Sequence, residues 1–246
     1  QLSEVVVEGP VSEITLIGEV AFIAGANLTI ADLSNPSDPQ IVSELALFAG
    51  HPIRSMVLVG TRLWTVGESG SADRLIPVNV ELPTSPVVDF ASSLSVQFVE
   101  GERLFAADEK LYRLGVGRVE CFAIPPEGTP TLVSSGALPD LTLLDLEEVN
   151  SEPWVAIESQ GARRLLDTAG ALSLGPAPPM PRTALGLFKV AEGGSEVLWI
   201  AAGNFGAEAA DYERRVDVDC LLRDVVVTSS ELFYLTACGV EVEARQ

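Results

Sequence analysis

Lysine, histidine and cysteine are all scarce in this 246-residue chain. Lys110 and Lys189 are the only lysines, and 15 basic residues stand against 35 acidic ones, for a formal charge of −20. Such a surface repels phosphate backbones and anionic lipid headgroups at long range, which excludes nucleic acid as a partner. With His51 as the single histidine, a zinc site lacks its usual ligands and no Ser-His-Asp order can be built. The G-x-S-x-G elbow of hydrolases is missing too. No catalytic residue, metal or cofactor is therefore expected. Cys121, Cys220 and Cys238 are too few for a disulfide-dense scaffold and show no C-x-x-C spacing. Hydrophobic residues reach 47% and mean hydropathy is +0.31, yet no apolar run approaches the roughly 20 residues that cross a bilayer as a helix. Membrane insertion is not expected.

What the chain does contain is short valine- and leucine-rich bursts, repeated. Six apolar segments carry an aromatic near their centre: VAFIAGA after Glu19, RLWTVGE after Thr61, RLFAADE after Glu102, PWVAIES after Glu152, VLWIAAG after Glu196 and LFYLTAC after Glu231. Their starts are 42, 41, 50, 44 and 35 residues apart. Another apolar strand ending in a polar turn precedes several of them: ITLIG, MVLVG, VQFVEG and VVVTSS, each pair reading as a hairpin. Third and fourth strands follow across proline-marked turns, and helical periodicity is lacking. Four antiparallel strands in about 41 residues make one propeller blade.

Residues 20–45, VAFIAGANLTIADLSNPSDPQIVSEL, combine an aromatic strand, an LxIxDxSxPxxP turn and a following apolar strand. This stretch resembles the LVIVD-repeat propellers, a bacterial family of mostly exported or surface-associated proteins. Leu75–Pro86 keeps the register but loses the aspartate, and the later blades share only the strand rhythm. The resemblance implies a propeller fold and an extracellular, periplasmic or cell-surface location, with no chemistry attached. The start at Gln1, without a charged-then-apolar leader, is read as a processed chain or one domain of a larger surface protein.

The expected fold is thus all-β: a single domain over 1–246, a six-bladed propeller with blades near 13–50, 51–93, 94–139, 140–181, 182–221 and 222–246 plus 1–12. Glu4–Glu8 is expected to close the ring as the outer strand of the last blade, beside Val240–Ala244, because an unpaired edge invites aggregation.

Three arginines, Arg54, Arg182 and Arg223, stand at or just before inner strands, where their guanidinium groups converge on one mouth of the channel. They suit a carboxylate or phosphate ligand, or else each pairs with a local acid. His51 shares that mouth as a loop residue. Cys220 and Cys238 fall on one face of the last blade, where two readings stay open, a disulfide or two buried thiols. Cys121 is expected to be an inert core residue. Asp32, Asn35 and Asp38 offer oxygen atoms of the kind calcium takes, though Asx turns use the same residues. Asn204–Arg215, with Phe205 and Tyr212, is either a contact loop or an irregular strand. A monomeric, non-enzymatic scaffold binding a protein or a small anion is the expectation. A propeller hydrolase or lactonase with a metal in its channel is the alternative.

Overall fold

The computed structural model describes residues 4–176, 183–192, 195–202, 207–209, 215–216, 222–227, 231–236 and 239–244. The chain divides into two compact units, one of residues 1–113 and 121–132, the other of residues 114–120 and 133–246. Among the described residues the regular structure is β-strand, with one 3-10 turn at Phe90–Ser92.

In the first unit, β1 (Glu13–Ile17), β2 (Val20–Ala24), β3 (Leu28–Asp32) and β4 (Gln40–Leu45) form an antiparallel meander in chain order. A second follows in β5 (Ile53–Val59), β6 (Arg62–Ser69) and β7 (Ala72–Asn79). Its last strand is broken into β8 (Val87–Val88) and β9 (Leu94–Val96), both paired with β7. β10 (Arg103–Ala107) then turns into β11 (Lys110–Ala123). In the second unit, the long β12 (Thr131–Val149) pairs through Leu143–Val149 with β13 (Glu152–Ile157). β14 (Gly161–Thr168) and β15 (Ala171–Leu174) continue that sheet, and Ser135 of β12 pairs in parallel with Ala171 of β15, so this stretch is not a plain four-stranded antiparallel blade. β16 (Gly186–Glu192), β17 (Ser195–Ala201), β18 (Ala207–Ala209) and β19 (Arg215–Val216) make the next, and β20 (Leu222–Val227), β21 (Glu231–Thr236) and β22 (Gly239–Ala244) a three-stranded one. Sheets whose order follows the chain are the form expected of blades.

Two-residue connections set the registers. Gly18 and Gly60 take φ +61° and +60° between β1 and β2 and between β5 and β6, while Asn150 and Ser151 take +51° and +62° between β12 and β13. Positive φ matches the twist of the flanking strands.

Two expectations are corrected. VQFVEG does not form a hairpin with Glu102–Ala107; Leu94–Val96 instead pairs with β7, and residues 97–102 leave the strand. The reason lies in Arg113, which takes the Gln97 backbone carbonyl and the buried Glu102 carboxylate, described below. Glu4–Glu8 is not a strand: residues 4–7 carry no regular structure, and Val5 and Val7 pack on Ala21, Ile23 and Ala31. Burying these two valines against the first sheet removes them from any ladder.

The opposite face of the first sheet meets the second. Phe22, Leu28 and Ile30 join Phe48, Ile53, Met56, Leu63 and Ile76 in one apolar cluster. A second cluster surrounds the fully buried Trp64 with Leu75, Leu104, Leu111 and Phe122. In the other unit Val149 and Ala156 pack with Leu187, Leu198 and Ile200. Gly67 lets the first cluster close: a Cβ there would lie 2.8 Å from Phe48 Cδ2 and 3.0 Å from the Pro52 carbonyl oxygen. Gly67→Ala is expected to cost about 1–3 kcal/mol by overpacking. Urea unfolding would show a lowered midpoint at unchanged slope; an unshifted midpoint would refute the contact's importance.

Candidate functional site

Three strands, β5, β12 and β20, share a bulge. Pairing skips one residue between Ile53 and Ser55, between Leu143 and Asp145 and between Leu222 and Asp224. The extra residues are Arg54, Leu144 and Arg223, so two of the three arginines singled out in the sequence hold the same backbone position. A bulge re-aims the side chain it carries. Around Arg54 it does so at the end of the second sheet where β5 begins.

There Arg54 Nη2 lies 2.5 Å from Asp73 Oδ1 and 2.6 Å from Glu102 Oε1. Arg113, buried on β11, places Nη2 2.5 Å and Nε 2.6 Å from Glu102 Oε2, and donates Nη2–H to the Gln97 carbonyl at 2.5 Å. Arg113 Nη2 is also 3.5 Å from Asp73 Oδ2. Two guanidiniums and two carboxylates are thus interleaved. Not all contacts are aligned: Arg54 Nε and Nη2, Asp73 Oδ2 and Glu102 Oε1 are buried without hydrogen-bond geometry, so the Arg54 contacts are charge pairs rather than directed bonds. Burial pushes the Glu102 carboxyl above its ordinary range, and Arg113 and Arg54 oppose the shift. Drawing Gln97 and Glu102 onto Arg113 takes residues 97–102 out of the ladder and turns Phe98 outward. Its ring, 66% exposed, lies 5.3 Å from the Arg54 guanidinium carbon.

Two clefts flank this stack. One, of about 480 Å³, is lined by Glu68, Ser71, Ala72, Asp73, Val96, Gln97 and Phe98. The other, of about 260 Å³, includes Glu13, Arg54, Ser55, Glu102 and Arg103. His51 Nδ1 stands 3.6 Å from Glu68 at the rim.

Beside this cluster, and again in the second unit, a strand of one sheet is fastened to the first strand of the next. Glu13 Oε2 accepts the Ser55 hydroxyl and the Met56 N–H, both at 2.8 Å. Ser55 Oγ accepts Leu104 N–H at 3.0 Å, and in the second unit Asp145 Oδ2 accepts Leu187 N–H at 2.7 Å. Donor and acceptor are 43, 49 and 42 residues apart, which is the repeat. Burial raises the Glu13 pKa from 4.5, against the lowering effect of its hydrogen bonds to Met56 and Ser55.

Arg54 thus lies where β5 begins with its charge matched by Asp73 and Glu102. Arg182, Cys220, Cys238, Phe205, Tyr212 and the side chain of Arg223 lie outside the described residues. Cys121 is buried. Asp32 and Asn35 accept the N–H groups of Ser34 and Ser37, and Asp38 accepts Gln40 Nε2–H, the hydrogen bonds of a turn. Asp73, Glu102, Arg113 and Phe98 were not legible as a site, since each stands in an ordinary strand or turn context. Polar Glu13, Ser55 and Asp145, set at repeat spacing in apolar inner strands, were a usable signal.

Residues 8–46 match the LVIVD repeat. No curated protein matches the chain.

Removing one partner of a buried charge cluster strands the others, so Arg113→Met is expected to cost about 3–5 kcal/mol in chemical unfolding. A loss within error would refute the cluster's role. Glu13 favours its protonated form in the fold, so its contribution is complete below pH 4.5 and is lost as pH rises through the raised value. Urea midpoints of the native chain and of Glu13→Gln, measured from acid to neutral pH, should show the native advantage shrinking upward; a constant gap would contradict this.

Proposed function

We propose that this chain, similar over residues 8–46 to LVIVD repeats, is a non-enzymatic binding scaffold, exported or held at a cell surface. It engages a protein through the mouth at the start of β5. The observation that carries the reading is the exposed Phe98 ring stacked on Arg54 between two clefts. Aromatic and arginine side chains held rigid before binding are the groups that dominate protein recognition. Arg54 is held by Asp73 and Glu102, which favours a contact surface over capture of a small anion. Glu13 and Glu102, the acids nearest the inner-strand starts, are engaged in hydrogen bonds and ion pairs, which disfavours the reading of a metal-bearing hydrolase or lactonase.

The finer form of the reading is a monomeric ring of six blades closed between the first and the last. The 42–49-residue spacing of the strand-to-strand fastenings supports it. So does the row of Ile14 and Leu16 on β1, 59% and 62% exposed, an apolar face of the kind a neighbouring blade covers.

A closed ring of this length has a radius of gyration of about 18 Å. Small-angle scattering several ångströms above that would sink the ring. Elemental analysis of the purified chain is expected to find metal well below one equivalent, with no ester or lactone turnover. A stoichiometric metal with turnover would replace the scaffold by the enzyme.

A further inference from the structure

The larger cleft has a character that the stack beside it does not share. Its wall holds the carboxylates of Glu68 and Asp73, the polar Ser71 and Gln97, and the apolar faces of Val96 and Phe98, and no basic side chain lines it. Asp73 is 3% exposed at its side chain, and its Oδ2 accepts no aligned hydrogen bond, Arg113 Nη2 standing 3.5 Å away out of line. Acceptor capacity is thus left over on the buried carboxylate at the cleft floor. Glu68 is half exposed and faces His51 at 3.6 Å, a contact that carries charge only when the histidine is protonated. Arg54 and Arg113 offset Asp73 and Glu102, whereas Glu68 has the His51 contact as its one ion-pair contact among the described residues.

Resting on the scaffold reading above, we propose that this cleft takes the guanidinium of an arginine side chain from a basic segment of the partner protein. Asp73 and Glu68 receive the planar N–H fork, and Phe98 and Val96 cover the methylene stem. A carboxylate ligand is repelled by the same two acids. A cation small enough to be only a point charge leaves the aromatic wall unused. The volume of about 480 Å³ holds one long side chain with the backbone that carries it, not a folded domain. The charge of −20 brings basic segments to the surface before the cleft selects among them.

The test is a titration of the nitrogen-15-labelled full chain with the blocked pentapeptide Gly-Gly-Arg-Gly-Gly, its neutral citrulline analogue, and free spermidine. The arginine peptide should move the amides of Ser71, Asp73 and Phe98 saturably, with a Kd of about 1 mM for one anchored side chain. Citrulline should bind about tenfold more weakly, because it keeps the shape and loses the charge. Raising salt from roughly 0.05 M to roughly 0.5 M should weaken the arginine peptide several-fold. Glu68→Gln and Phe98→Ala, both at exposed positions, should each weaken it about five- to tenfold, and Glu81→Gln at the far end of β7 should not. Spectra away from the cleft report whether each variant folds. Equal binding of citrulline, equal binding to Glu68→Gln, or spermidine binding as tightly at the same amides overturns the arginine assignment. Silence of all three probes while acetate moves these amides also overturns it and leaves the scaffold reading standing. Metal-dependent turnover removes that reading itself.

Discussion

Burial of the Glu102 carboxylate beside Arg113 organises the first unit. Both side chains are wholly shielded from water, and an isolated charge there would cost several kcal/mol. Each answers the other, the Gln97 carbonyl takes a further Arg113 N–H, and Arg54 and Asp73 add opposite charge beside the pair without aligned hydrogen bonds. The backbone yields to this requirement. Residues 97–102 leave the ladder so that Gln97 and Glu102 reach Arg113, and Phe98 is left outside as a consequence. The exposed aromatic is thus produced by the same contacts that stabilise the fold beneath it.

The fastenings between successive sheets work at a second level. A hydroxyl or carboxylate accepts a backbone N–H from the next sheet, where it replaces the ladder partner that neighbouring blades do not supply. Repeat architectures depend on such nearest-neighbour terms, since one blade alone cannot bury both of its faces. The bulges at Arg54, Leu144 and Arg223 sit immediately before Ser55, Asp145 and Asp224. At Ser55 and Asp145 the residue after the bulge is the acceptor of the fastening. Scaffold and site share these residues, and the apolar clusters around Phe22 and Trp64 hold the strands that carry them.

Much of the architecture could be read without coordinates. Apolar strands with a central aromatic recur at about 41 residues, and polar turns follow the apolar runs before them, so the pairs β1–β2, β5–β6 and β20–β21 were legible. Local chemistry suffices there, because turn geometry and strand alternation act over a few residues. The third repeat misled because VQFVEG has the pattern of a strand, and the demand that diverts it comes from Arg113, more than ten residues away.

Composition and period determined by themselves an acidic all-β repeat chain, because charge and strand alternation are properties of residue counts and short windows. Tertiary structure alone decided that Arg54 is matched by Asp73 and Glu102, that Phe98 faces outward and that the cleft at Glu68 is lined by acids without bases. Those outcomes depend on which of 35 acidic and 15 basic side chains meet, and pairing across 11 to 48 positions leaves no mark in a local sequence pattern.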